Sequence, residues 1–288
     1  MEKTKPEDMA REVLDASSDC DVCRFLMDTS CLFFPELYRL FDKEMETGEE
    51  IRSCELRNML DLCNFCAICP CPNIRAGIMK AKTGFIDREG LKYSIRTLED
   101  VESVGKICGA YPRLTNFLFQ NNFTSDTLKK AVGINPNRRI PELPHENFTD
   151  WVKKNRSYLK NGNEQKRKVN YFPGCTAKYF FPEVAKAVFD VFEINGIDVY
   201  CVDHQCCGMP TMLEGDRKTT SKFVGFNVEK LSEVTNDGYD IDCSCPTCGY
   251  MLKNVIAEGA YYSQDYQEYI GANSGSIKIR EKRDQALT

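Results

Sequence analysis

The chain has 288 residues, sixteen cysteines, two histidines and a net charge of −5 from 38 basic and 43 acidic side chains. That length buries an ordinary core without covalent staples, and the acidic balance argues against a nucleic-acid binder that works by bulk positive charge. Residues 1–19 are charged throughout, no run approaches the roughly eighteen apolar residues of a membrane span, and mean hydropathy is −0.43. The expectation is a soluble cytoplasmic protein whose reduced thiols serve as metal ligands or redox groups.

In chain order, apolar residues at intervals of three and four predict helices over Phe34–Met45, Glu49–Leu62, Ile74–Lys82, Thr97–Ile107 and Leu114–Phe119. Residues 135–168 are rich in proline (Pro136, Pro141, Pro144) and then in Lys and Arg, which reads as an irregular, basic connector. The period then changes. Val169–Phe172, Ile197–Val202 and Tyr239–Cys243 are strand-like, and Pro182–Glu193, Asp216–Val234 and Met251–Ala257 helix-like. Pro182 sits where a first helical turn accepts proline, and Gly196 where a helix commonly stops. Strand and helix in alternation predict βαβ units on a parallel sheet. The fold class is therefore α+β. An all-helical part (1–134) and the connector (135–168) precede an α/β part ordered βαβαβα (169–260), and a polar, Tyr-rich tail follows (261–288).

Eight cysteines lie between Cys20 and Cys71, and Cys108 stands apart from them. Cys63-x2-Cys66-x2-Cys69-Pro-Cys71-Pro72 places successive thiols on one tight loop. Its first three spacings match the C-x2-C-x2-C-x3-C-P run of bacterial ferredoxins, whose last cysteine serves the other of two clusters. The fourth spacing is shortened to one residue. Cys20-x2-Cys23 followed by Cys31 reads as a partner run with Leu26 where its third cysteine would stand, and Cys54 is a candidate for the missing ligand. By analogy with two-cluster ferredoxins, Cys63, Cys66, Cys69 and Cys31 hold one [4Fe–4S] cubane. Cys20, Cys23 and Cys71, with Cys54, hold a second. Zinc with four cysteines is the alternative, although zinc prefers two separated C-x2-C knuckles. Cys108 reads as a small buried hydrophobe.

The second part contains Tyr171-Phe-Pro-Gly-Cys175, Cys206-Cys207-Gly208-Met-Pro and Cys245-Pro-Thr-Cys248-Gly249, each just after a predicted strand. In an open parallel sheet the carboxyl ends of the strands share one edge, where ligands bind. Five thiols from three distant segments are thus expected in one pocket, with Gly174, Gly208 and Gly249 allowing close approach. An Fe–S cluster, a structural zinc and free redox thiols are all open to such a set. The free-thiol reading draws on Cys245-x2-Cys248 opening a helix, whose dipole lowers a thiol pKa. Cys201 and Cys243 read as core residues within strands, Asp203 and Asp242 as loop charges, and His204 as a loop histidine that can donate a hydrogen bond at the site.

This constellation resembles the cysteine-rich CCG domain, C-x(n)-C-C-G-x(n)-C-x2-C. That domain occurs in heterodisulfide reductase subunits, in the C subunit of anaerobic glycerol-3-phosphate dehydrogenase and in iron–sulfur subunits of lactate and glycolate oxidases. The glycerol-3-phosphate dehydrogenase type is the nearer likeness, because there a two-cluster ferredoxin region also precedes the CCG part. Those families usually carry two CCG repeats. This chain has one Cys-Cys dipeptide, so a second CCG-containing subunit or self-association is implied. The resemblance further implies that Cys175, Cys206, Cys207, Cys245 and Cys248 bind a noncubane [4Fe–4S] cluster, with zinc as the alternative. The implied role is an electron-transfer subunit taking electrons from a flavoprotein dehydrogenase partner to a quinone or thiol–disulfide acceptor. Its place would be the cytoplasm or, through partner subunits, the cytoplasmic face of a membrane. The alternatives are a heterodisulfide or disulfide reductase acting at the CCG site and a zinc-binding structural subunit. No G-x-G-x-x-G is present, so flavin or nicotinamide chemistry is assigned to another chain.

Overall fold

The computed structural model describes residues 4–18, 31–66, 72–155 and 167–256. The described residues of Met1–Lys92 and Pro210–Thr220 make one compact unit, and those of Tyr93–Met209 and Ser221–Gly259 make a second.

The first unit is built on α1 (Pro6–Ser18), α2 (Phe33–Thr47), α3 (Ser53–Asp61) and α4 (Pro72–Glu89). Met9, Val13 and Leu14 of α1 meet Phe34, Leu37 and Leu40 of α2, Leu56 and Leu60 of α3, and Ile78 and Phe85 of α4 in one core. These are the apolar positions at threes and fours, and their burial stabilises helices that would be marginal alone. α1 and α4 approach closely at Gly77 and Gly84, where a Cβ would stand 2.7 Å from Val13 Cγ2 and 2.9 Å from Met9 Cε. α2 stops at Gly48, in the left-handed region at φ 69°, whose N–H returns to Glu44 O. Two forked ion pairs fix α1 near its start and at its middle. Arg11 donates to both oxygens of Glu44 (2.8 and 2.9 Å), and Arg88 to both oxygens of Glu7 (2.7 and 2.9 Å).

In the second unit α5 (Tyr93–Glu99), α6 (Val101–Ala110), α7 (Pro112–Gln120), α8 (Asn122–Ala131) and α9 (Phe148–Asn155) lead to the sheet. There β1 (Lys168–Phe172), β2 (Asp198–Tyr200) and β3 (Asp240–Cys243) pair in parallel in the order β2-β1-β3. The register sets Asn170 opposite Tyr200 on one side and opposite Ile241 on the other, and runs on to Phe172 opposite Cys243. α10 (Gly174–Tyr179) and α11 (Pro182–Ile194) connect β1 to β2; α12 (Met209–Leu213) and α13 (Arg217–Asn236) connect β2 to β3, with Pro210–Thr220 counted in the first unit; α14 (Pro246–Tyr250) and a π turn (Met251–Val255) follow. β1 is central, and Val169, Asn170, Tyr171 and Phe172 are all buried, as a strand covered on both faces must be. Phe148, Val152, Tyr171, Ala185 and Phe189 pack as an aromatic-rich core beside it, with Phe148 5.5 Å from Phe189 ring to ring.

Several expectations change in detail. The helix predicted over Thr97–Ile107 is divided at Asp100, whose carboxylate accepts from Ser103 N at 3.1 Å and caps α6. Within the stretch read as an irregular connector, 148–155 form α9 and send Phe148 and Val152 into the core. The second strand is shorter than Ile197–Val202. After Tyr200 the chain turns off, and Val202 N donates instead to the Asn170 side chain at 2.9 Å. Cys201 therefore lies just past the strand, though buried. Asp242 lies within β3 rather than in a loop. The residues from Met251 form a π turn rather than an α-helix. α1 and α8 form outside the predicted helices, although Met9, Ala10, Val13 and Leu14 of α1 stand at helical spacing. A ferredoxin-type arrangement of the first cysteines falls largely on residues outside the described set.

Two outcomes are expected. Hydrogen bonds from Arg88 hold the Glu7 carboxyl at about 2, below its ordinary 4.5. Its contribution is thus present above pH 4.5 and lost as pH falls through about 2. Glu7→Gln should lower the melting temperature at pH 7, and the gap to wild type should close between pH 4.5 and 2 in thermal melts. A Cβ on Gly105 of α6 would lie 2.5 Å from Tyr179 Cγ. Gly105→Ala should therefore cost about 1–3 kcal/mol in denaturant melts. Gly109→Ala on the same helix, with nothing within 4 Å, should be neutral or mildly stabilising.

Candidate metal centre

The three strands end at one edge, and each is followed by cysteines. Cys175 lies in the first turn of α10, Cys206 and Cys207 lie between β2 and α12, and Cys245 and Cys248 bracket the start of α14. Their thiols form a continuous series of contacts: Cys175 to Cys206, Cys206 to Cys207, Cys207 to Cys248, and Cys248 to Cys245. Cys206, Cys207 and Cys248 are buried, and Cys175 and Cys245 are half-buried. The adjacent Cys206-Cys207 pair, which a regular strand would split to opposite faces, lies in irregular backbone that brings both sulfurs into the series, and Gly208 follows at φ 91°. The N–H groups of Gly208 and Met209 point back to the sulfurs of Cys206 and Cys207. Gly174, at φ 73°, is required twice over: a Cβ there would stand 2.8 Å from Cys248 Sγ. Among the described residues, no three His, Cys, Asp or Glu side chains are grouped as a shell around a single ion. The five sulfurs make a chain of pair contacts instead.

Packing neutral thiols together raises them. Cys175 is pushed up by its bond to Cys206 and by burial. The Cys175 thiol pulls Cys206 down, but Cys207 and burial outweigh it and leave Cys206 at about 12. Cys248 is pulled down by Cys207 and raised more by burial and by Cys245. The helix start therefore does not produce the lowered Cys248 pKa that the C-x-x-C spacing suggests. Protonated at neutral pH, these thiols must release protons to ligate a metal. The donor set fits an iron–sulfur group: thiolates only, two backbone N–H donors to sulfur, and a glycine keeping the space open.

The remaining cysteines divide. Cys201 is buried in the core and its thiol faces Val202 O at 3.7 Å. Cys243 is half-buried against Gly249, whose Cβ would approach its sulfur to 3.2 Å. Cys108 on α6 is half-buried rather than fully so. In the first unit Cys31 and Cys63 both pack against the α1–α4 core, Cys66 is exposed, and Cys54 is exposed in the first turn of α3. Between Cys63 and Cys66, Phe65 is buried at φ 52°, a left-handed conformation that bulky residues rarely adopt and that marks a constrained turn. Arg75 lies over its ring at 5.7 Å. Cys20, Cys23, Cys69 and Cys71 lie outside the described residues.

His204 is buried rather than solvated, with Nδ1 3.1 Å from Val202 O and its ring 4.7 Å from that of Phe172. Side chains without a sequence signal shape the site as well. Asn227 on α13, fully buried, accepts from Gln205 N (2.8 Å) and donates to Cys206 O (2.9 Å). The Tyr171 and Ser244 hydroxyls meet at 2.8 Å, tying β1 to the exit of β3 just before Cys245. Polar residues inside apolar segments, such as Asn170 in β1, are the one cue that could have flagged them.

Residues 169–253 match the family model of CCG, a cysteine-rich domain. Over that stretch the chain therefore resembles a CCG domain. Over 163 residues, 56% of the chain, it is 23% identical to the C subunit of anaerobic glycerol-3-phosphate dehydrogenase from Escherichia coli K12, covering 40% of that protein. An uncharacterised iron–sulfur protein of Methanococcus maripaludis is 20% identical over 252 residues, 81% of this chain and 49% of its own length. The B subunit of fumarate reductase (CoM/CoB) from Methanothermobacter marburgensis is 28% identical over 126 residues, 43% of this chain and 25% of its own. The chain spans less than half the length of these relatives. No solved structure matches it. No helix among the described residues is long and apolar enough to cross a membrane.

Gly174→Ala tests the packing of the five thiols. The left-handed backbone alone costs an L residue about 1–2 kcal/mol. The variant should lose at least that in denaturant melts, and its Cys248 should react faster with iodoacetamide, read by peptide mass spectrometry.

Proposed function

We propose that the chain is an iron–sulfur electron-transfer subunit of a multi-subunit dehydrogenase or reductase. The observation that carries this is the unbroken contact of five thiols at the carboxyl edge of the sheet, more sulfurs than one cubane needs. Cys175, Cys206, Cys207, Cys245 and Cys248 would hold an Fe–S cluster, of noncubane type in the fuller reading. Cys20, Cys23, Cys31, Cys63, Cys66, Cys69 and Cys71 would hold one or two [4Fe–4S] clusters in the N-terminal part. A cluster bound on such thiolates supplies one-electron redox chemistry whose potential is set by burial and by hydrogen bonds to sulfur. The chain's own part is to bury the sulfurs, aim the Gly208 and Met209 N–H groups at them, and hold the three strand ends in register.

The names of the relatives support this reading, since they include subunits of a dehydrogenase and of a reductase as well as an iron–sulfur protein. In it the chain takes electrons from a flavoprotein dehydrogenase partner and delivers them to a quinone or a thiol–disulfide acceptor. The single CCG domain and the two edge strands of its sheet, β2 and β3, favour assembly with another subunit.

Protein purified anaerobically should be brown, contain iron and acid-labile sulfide, and show EPR signals after dithionite reduction. Cys207→Ser should remove one signal and leave that of the N-terminal cysteines. A colourless protein replete in zinc and free of iron would overturn the reading. Loss of both signals together would show that the two cysteine sets are not separate sites.

A further inference from the structure

A buried ionic network lies one helical turn beyond Cys175. Lys178 follows Cys175 by three residues on α10, so the two share a face. It is 4% exposed, and its Nζ donates to the carbonyl of His204 at 2.7 Å. The same ammonium is 3.3 Å from Glu102 Oε2 of α6, a carboxylate equally buried, which also accepts the Tyr179 hydroxyl at 2.6 Å. The backbone just before Cys206 is thus gripped twice, by Lys178 at residue 204 and by Asn227 at 205 and 206. Glu102 lies outside the residues that match the CCG family model.

Burying a lysine and a glutamate away from water is expensive, and a well-packed apolar pair often stabilises as well or better. Holding the turn alone would need no charge at all. The charge does act on the surroundings. Burial raises Cys201 to about 12 against the pull of Lys178.

We infer that Lys178 is a positioning residue of the thiol site: it clamps the turn bearing Cys206 and Cys207 to the helix bearing Cys175, and it sets a fixed cation one helical turn from Cys175, with Glu102 offsetting part of that charge. The electrostatic half of this inference, read out on a bound cluster, rests on the function proposed above. The clamp half does not.

Lys178→Met, Lys178→Arg and Glu102→Gln in the full chain separate the two halves. In metal-free protein under reducing conditions, Lys178→Met should let iodoacetamide alkylate Cys206 and Cys207 at least tenfold faster, with Lys178→Arg close to wild type. In anaerobically loaded protein, Lys178→Met should disfavour one-electron reduction and Glu102→Gln should favour it. Each shift should be about tenfold in the equilibrium constant, about 59 mV, and Lys178→Arg should leave the potential in place. Unchanged alkylation overturns the clamp, and charge variants that shift together or not at all overturn the electrostatic role. Should wild type take up no iron, the proposed function falls while the alkylation result still decides the clamp. Should Lys178→Met not fold by near-UV dichroism, Glu102→Gln decides both halves: it should speed alkylation and raise the potential, and the absence of either change overturns that half.

Discussion

β1 is hydrogen-bonded on both sides, so its register fixes where both neighbouring strands end. Successive residues point to opposite faces, and here each makes a tie. Asn170 takes the N–H of Val202 and bends the chain away after β2. Tyr171 reaches Ser244 beyond β3. A slip of one residue would exchange these faces and separate both ties from their partners. It would also carry the segments bearing Cys206, Cys207, Cys245 and Cys248 out of line with Cys175. The meeting of five sulfurs is therefore a consequence of how one five-residue strand is paired, more than of any attraction between the thiols.

Which thiols share an edge was legible in the sequence because it follows from connectivity. Each cysteine group stands just after a strand-like run, and parallel strands joined by helices end on one side. The glycines beside them were legible for a related reason, since a cysteine pair such as Cys206-Cys207 cannot face one site on regular backbone. The supports were not legible. Lys178 and Glu102 are 76 residues apart, and nothing in the spacing of either announces a partner. Periodicity reports which face of a helix is apolar, and it is silent about one charged residue buried on that face. The same blindness joins 97–107 to the preceding helices by pattern alone. Folded, those residues share a compact unit with the sheet, because Glu102 and Gly105 meet the end of α10.

The two cysteine-bearing parts also differ in how the backbone is made to turn. Around the CCG site the unusual angles fall on glycines, Gly174 and Gly208, which adopt them without strain. In the first unit the left-handed position between Cys63 and Cys66 falls on Phe65, where an L side chain is disfavoured and only surrounding packing sustains it. The first loop is thus held by its core, and the second by backbone freedom combined with side-chain ties. Loosening the helical core would be felt directly at Cys63. The CCG loops would respond instead to the loss of single hydrogen bonds.

The burial of Cys206, Cys207 and Cys248, at 0, 3 and 2% exposure, has a kinetic side. No iron donor or chelator can touch these sulfurs while the loops are closed. Anything that ligates there must arrive before the loops close, or through a local opening whose free energy is set by ties such as Asn227 and Lys178. Departure uses the same door. Occupancy of such a site is then governed by how often it opens as much as by how tightly it binds. A centre filled during folding can outlast conditions under which it would never fill again.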